Sequence, residues 1–236
     1  TDGGPGYAEK DPRTGQLTGI LRSCNRFIKS QTPGRKPTDR DRYDRLHALF
    51  AAYNAVGITG ICDGAARSAN LDLYQKMLDA NDLTVRVAAQ YYIDTIGPIE
   101  QIEEKIRQVA RHPLREGGPM LRIIGIKAFL DGGMLTGSAY MRHPWGVSET
   151  YAIDDPNYRG VLFIPHDRLL PIVRTATESG LQFTAHSVGD GAVHALLDVY
   201  DELNATTPIS PMRHCITHSN FMSAEAVARA ADLGVI

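Results

Sequence analysis

Cysteine is scarce in this sequence. Cys24, Cys62 and Cys215 are three in 236 residues, odd in number, far apart and without a Cys-x-x-Cys pair, which excludes a disulfide framework and makes a reducing, cytoplasmic location the expectation. Long apolar runs are also missing. No stretch approaches the roughly 18 consecutive apolar residues of a membrane span, and the opening Thr1-Asp2-Gly3-Gly4-Pro5-Gly6 is polar and turn-like. Neither a signal peptide nor an anchor is read, so no membrane partner is expected. Nor does one sign of charge dominate. Lys+Arg number 25 against 27 Asp+Glu, with no basic stripe, so nothing attracts a polyanion and nucleic acid is not an expected partner.

What remains is an ordinary globular composition whose length fits one large α/β domain or two small ones. Periodicity decides between them. Residues 1–37 concentrate turn formers, Gly3 and Pro33 among them, and read as an irregular surface segment. The mixed charges from Arg35 to Arg45 read as a solvated helix start. From Thr38 onward, helical and strand patterns alternate. A helix with Leu46, Leu49, Phe50, Tyr53 and Val56 on one face stops at Gly57, and strand candidates follow at 57–63, 83–93, 121–130, 181–186 and 213–218. Helices on Leu71–Leu78, Ile99–Val109, Leu169–Ala176, Val193–Leu203 and Val227–Leu233 separate and follow them. Apolar strands joined by helices imply parallel pairing with right-handed crossovers. Residues 38–236 thus form one α/β layer system, interrupted by a loop at 132–165, and the run after Gly234 reads as the start of a further strand in a piece of a longer protein.

In such folds the loops beyond the strand C-termini line the ligand site. Five polar residues fall there: Asp63, Lys127, Asp131, His186 and His218. Lys127 sits in an apolar strand, where an unpaired ammonium is costly. It is either a reactive amine or half of a structural ion pair with a carboxylate such as Asp131. His186 and His218 end successive strands 32 residues apart, one strand–helix repeat, and two such imidazoles can converge on one divalent ion. His214, nearer the start of its strand, reads as a packing residue. Asn204-Ala205-Thr206 matches a glycosylation sequon, which matters only in a secreted protein.

The segments Ile126-Lys127-Ala128-Phe129-Leu130-Asp131-Gly132-Gly133, His186-Ser187-Val188-Gly189-Asp190 and Arg213-His214-Cys215-Ile216-Thr217-His218 resemble the metal-dependent amidohydrolase superfamily. Within it they are similar to the branch related to N-substituted formamide deformylase. The resemblance implies a partial (β/α)8 TIM-type barrel, about strands two to seven, that hydrolyses a non-peptide amide-type C–N bond of a small molecule. It also implies a divalent metal, zinc, held by the fourth-strand lysine Lys127, which can be carbamylated, by the fifth-strand His186 and by the sixth-strand His218. The family's His-x-His does not occur here, Thr217 stands where the branch commonly has Glu, and the aspartate base is expected beyond Ile236. Tyr140, Met141 and Trp145 in the loop are the candidate substrate contacts. Open strand edges predict a homo-oligomer. Two alternatives keep the fold: a Schiff-base lyase using Lys127, and a non-catalytic structural fragment.

Overall fold

The computed structural model describes residues 4–29 and 34–236, so Thr1–Gly3 and Pro33 of the turn-rich segment lie outside the described residues. The elements run β1 (Tyr7–Lys10), β2 (Leu17–Arg22), α1 (Asp39–Ala55), β3 (Gly60–Ala66), α2 (Ser68–Asp79), β4 (Arg86–Tyr92) and α3 (Ile99–Ala110). They continue with β5 (Leu121–Phe129), α4 (His166–Glu178), β6 (Gln182–Ser187), α5 (Asp190–Asn204), β7 (Cys215–His218) and α6 (Ala224–Asp232). Strands β3 to β7 pair in chain order, all parallel, in one five-stranded sheet.

This sheet is a curled half-barrel. Gln90 of β4 donates to Gln182 and Thr184 of β6 at 2.9 and 2.7 Å, and Lys127 of β5 reaches Thr217 of β7 at 2.7 Å. Neighbouring strands stand about 4.8 Å apart, so these side chains, two strands apart, meet because the sheet bends toward the face they share. The opposite face, with Val87, Ala89, Ile126, Ala128, Phe183 and Ala185, is buried in a core completed by Ile106, Ile172, Leu196 and Leu197 of the helices. Burying each such large side chain is worth about 1.5–3 kcal/mol. Local signals set the helix ends: Thr38 and Asp41 form a capping box at α1 and Ser223 accepts from Ala226 N at α6.

Several expectations need correction. Residues 7–22 are not irregular: β1 and β2 pair as an antiparallel hairpin, with Asp11 accepting from Arg13 and Thr14 N at its turn. Both strands are short and mostly exposed, so no buried alternation marks them. The strand expected at 57–63 starts at Gly60, because Gly57 turns left-handed (φ 83°) and Ile58 N still bonds Tyr53 O. The α1 apolar stripe is only partly used. Phe50 is buried and stacked on Tyr74, while Leu49 and Val56 are exposed. The charged run behaves as read, with Arg35–Asp41, Arg42–Asp39 and Arg40–Asp44 pairs at the surface. Past Gly234, Ile236 begins to pair with β7 through Ile216 N→Ile236 O and Ile236 N→His214 O, at 2.8 and 2.9 Å.

Candidate active site

Strand alternation puts Cys62, Gln90, Lys127, Phe129, Thr184, His186 and Thr217 on the concave face. Lys127 is 3% exposed, and its Nζ donates to Thr217 Oγ1. Burial lowers its pKa to about 8. The ion pair with Asp131 does not form. Asp131 instead accepts from Tyr140, Val188 and Gly189 N at 2.9, 2.9 and 2.8 Å, tying the start of the long loop to the loop after β6. Among the described residues no carboxylate forms a salt bridge with Lys127.

His186 stands next along this face. Burial pushes its pKa down to about 4, so the ring is neutral at pH 7. Nε2 lies 3.2 Å from Gly132 O and 3.8 Å from Asp131 Oδ1. Both are acceptors, which assigns the ring proton to Nε2 and leaves the Nδ1 lone pair as a potential ligand, the usual outer bond of a metal-binding histidine. His218 reaches the same place by a less regular route. It pairs in register with Ser187, whose side chain belongs to the outer face. Left-handed backbone at His218 (φ 83°) and Ser219 (φ 48°) brings its ring within 4.5 Å of the His186 ring, edge to face. A non-glycine residue held there is strained, and such strain concentrates at functional sites. Burial and the nearby Lys127 charge both lower the His218 pKa.

Phe129 joins the group. Its ring centroid lies 5.0 Å from that of His186, 5.8 Å from that of Tyr92 and 5.7 Å from Lys127 Nζ. The position two residues after Lys127 on a strand was the available signal for it, since i and i+2 share a face.

Other candidates fall outside the group. Asp63 points toward α2, accepting from Tyr74 Oη at 2.9 Å. His214 is buried against Tyr200, accepts from Phe183 N through Nδ1 and contacts Thr177 Oγ1 through Nε2, so it packs as expected. The three loop residues chosen as substrate contacts hold the loop together in the structure. Trp145 Nε1 donates to Ala139 O at 2.8 Å, Met141 exchanges bonds with Arg159, and Tyr140 N is bound to Asp131 beneath the Arg159 guanidinium. Among the described residues, no group of three or more His, Cys, Asp or Glu is placed to hold a metal ion. The site thus brings together two imidazoles and one amine.

The sequence pattern of the amidohydrolase family matches residues 2–236. The chain belongs to that family. Protein LONG AFTER FAR-RED 3 of Arabidopsis thaliana is 29% identical over 112 residues, which cover 48% of this chain and 18% of that protein. Putative amidohydrolase YtcJ of Bacillus subtilis is 25% identical over 118 residues, covering 50% and 20%. The amidohydrolase chain described here therefore aligns with about a fifth of the length of these curated relatives. Uncharacterised metal-dependent hydrolases of Pyrococcus horikoshii and Pyrococcus furiosus share its fold, with TM-scores of 0.67 and 0.65 at 21% and 20% identity. They cover 84% and 96% of this chain, which spans 36% and 44% of theirs. Among the described residues no helix is long and apolar enough to cross a membrane.

Proposed function

We propose that the polypeptide carrying this chain is a divalent-metal-dependent hydrolase of a non-peptide amide-type C–N bond, close in activity to the N-substituted formamide deformylases. One observation carries the reading: Lys127, His186 and His218, from three consecutive strands of an amidohydrolase chain, converge with a neutral His186 ring already oriented by Gly132. The Pyrococcus proteins of the same fold are described as metal-dependent.

The donor set fits part of a metal site. Two imidazoles suit zinc, and a carbamate oxygen on Lys127 would add a carboxylate-type donor, while further ligands and the aspartate base would come from elsewhere in the polypeptide. A bound divalent cation supplies Lewis-acid polarisation of the amide carbonyl and acidifies water. The chain's own residues prepare the place for it. Gly132 O fixes the His186 ring, and Thr217 Oγ1 holds the Lys127 amine. With a pKa lowered to about 8, that amine is partly neutral near pH 7 and can add to CO2, forming a carbamate and releasing a proton.

The test uses the full polypeptide. Supplied with zinc and bicarbonate it is expected to hydrolyse N-substituted formamides, to lose that activity to a chelator and to recover it with zinc. Borohydride with a carbonyl compound should leave Lys127 unmodified. A reduced adduct on Lys127, with no hydrolysis by the zinc-loaded protein, would replace this reading with the Schiff-base lyase.

A further inference from the structure

A cavity of about 440 Å³ opens beside Phe129, at the C-terminal ends of β4 and β5. Its apolar walls are Tyr92, Phe129, Ile96 and Phe163, and across from them the N-terminal segment contributes Leu21 and Pro5. Such a volume is typical of small-molecule sites. Phe129 is the wall it shares with the reactive group, its ring lying against His186 on one side and Tyr92 on the other.

The charged side chains of the lining already have partners within the chain. Arg22 is bound to Glu9 and to Tyr151 O and Ala152 O, Arg26 donates to Pro5 O at 2.7 Å, and Asp94 accepts from Ile96 N at 3.0 Å. Those are its three charged side chains. The hydroxyls of Thr136 and Ser138 bond each other at 2.6 Å. The aromatic and aliphatic surfaces have no such partner: Phe129 and Leu21 are 36% and 37% exposed, and Tyr92, Ile96 and Phe163 are half-buried. A ligand here gains by covering carbon, whereas an anionic ligand would lose water and meet guanidiniums that already have partners.

We propose that this cavity receives an apolar aryl or branched-alkyl substituent of the substrate, so that the enzyme selects amides carrying a bulky apolar group, with Leu21 of the hairpin as part of the selecting surface. The proposal rests on the hydrolase reading for the word substrate, but not for binding. The probes are acetanilide, N-methylacetamide and 4-acetamidobenzoate, titrated calorimetrically into the chelator-treated full polypeptide. Acetanilide should bind at least about tenfold more tightly than either of the others, a range ordinary for apolar pockets. Ile96→Glu, on one apolar wall, and Leu21→Glu, on the exposed hairpin wall, should each abolish that preference while circular dichroism stays unchanged. Should one variant misfold, the other decides. Equal affinity for the three probes, or a preference untouched by both substitutions, overturns the proposal. Preference for acetanilide without turnover of N-substituted formamides by the zinc-loaded protein would sustain the cavity and refute the hydrolase reading; turnover of formamides without preference among the three probes would do the reverse.

Discussion

Lys127→Met is expected to remove at least about 10²-fold of the hydrolytic rate of the full polypeptide, since even residues that only support metal ligands commonly cost 10- to 100-fold. The same substitution is expected to make the metal-free protein more stable at pH 7. Lys127 falls from 10.5 to about 8 on folding because burial disfavours its charge, a penalty of about 3 kcal/mol. Methionine avoids that penalty and forfeits one hydrogen bond to Thr217, worth about 1 kcal/mol. The net gain is about 2 kcal/mol. The sign with pH follows from the depressed value: between about 8 and 10.5 the unfolded chain holds the proton and the folded chain does not, so wild-type stability rises over that window. The advantage of Lys127→Met should therefore fade as pH approaches 10.5. Urea unfolding of chelated wild type and variant at pH 7 and pH 10 reads this directly. A lysine kept for structure would behave oppositely, with Lys127→Met less stable and fully active.

The second large effect is expected at Asp131. Its carboxylate accepts three backbone N–H groups, and Asp131→Ala leaves those of Tyr140, Val188 and Gly189 without acceptors. Each buried orphan costs about 1–3 kcal/mol. Against this, burial pushes the carboxyl up to about 6 despite the three bonds, so its charge carries a penalty of about 3 kcal/mol at pH 7 that alanine removes. Three orphaned amides outweigh it, and a net loss of about 3 kcal/mol is expected. A raised acid pKa contributes stability that is complete below about 4 and lost as pH rises through 6. The gap between wild type and Asp131→Ala should accordingly be wider at pH 4.5 than at pH 7, and residues 132–165 should become the first site of proteolysis. A gap independent of pH, with the loop still resistant, would show that the carboxylate does not fasten it.

Much of this architecture was legible because the strands of the half-barrel are apolar on their helix-facing side. Val87, Ala89, Ile126, Ala128, Phe183 and Ala185 mark them, and polar residues interrupting such runs pointed to Lys127 and His186. Parity decided the rest. Cys62 faces inward and Asp63 outward, a distinction that requires knowing which side the helices cover. His218 has outer-face parity and reaches His186 only through left-handed backbone that its residue type does not announce. The hairpin was hidden for want of a buried face, and the bond from Trp145 Nε1 to Ala139 O within its own loop is not a feature that loop composition announces. Thr217 shows what chemistry in the sequence leaves open: where a carboxylate would pair with the lysine, a hydroxyl leaves Lys127 with a hydrogen bond and no counter-charge.

The most direct measurement is the metal content of the purified full polypeptide beside its His186→Ala/His218→Ala double variant, by atomic emission after exhaustive dialysis. The account predicts bound zinc in the wild type at near-stoichiometric level and at least about tenfold less in the folded double variant, because a site of few ligands loses most of its affinity with two imidazoles. Equal zinc in both proteins would contradict it and remove the two histidines from the site.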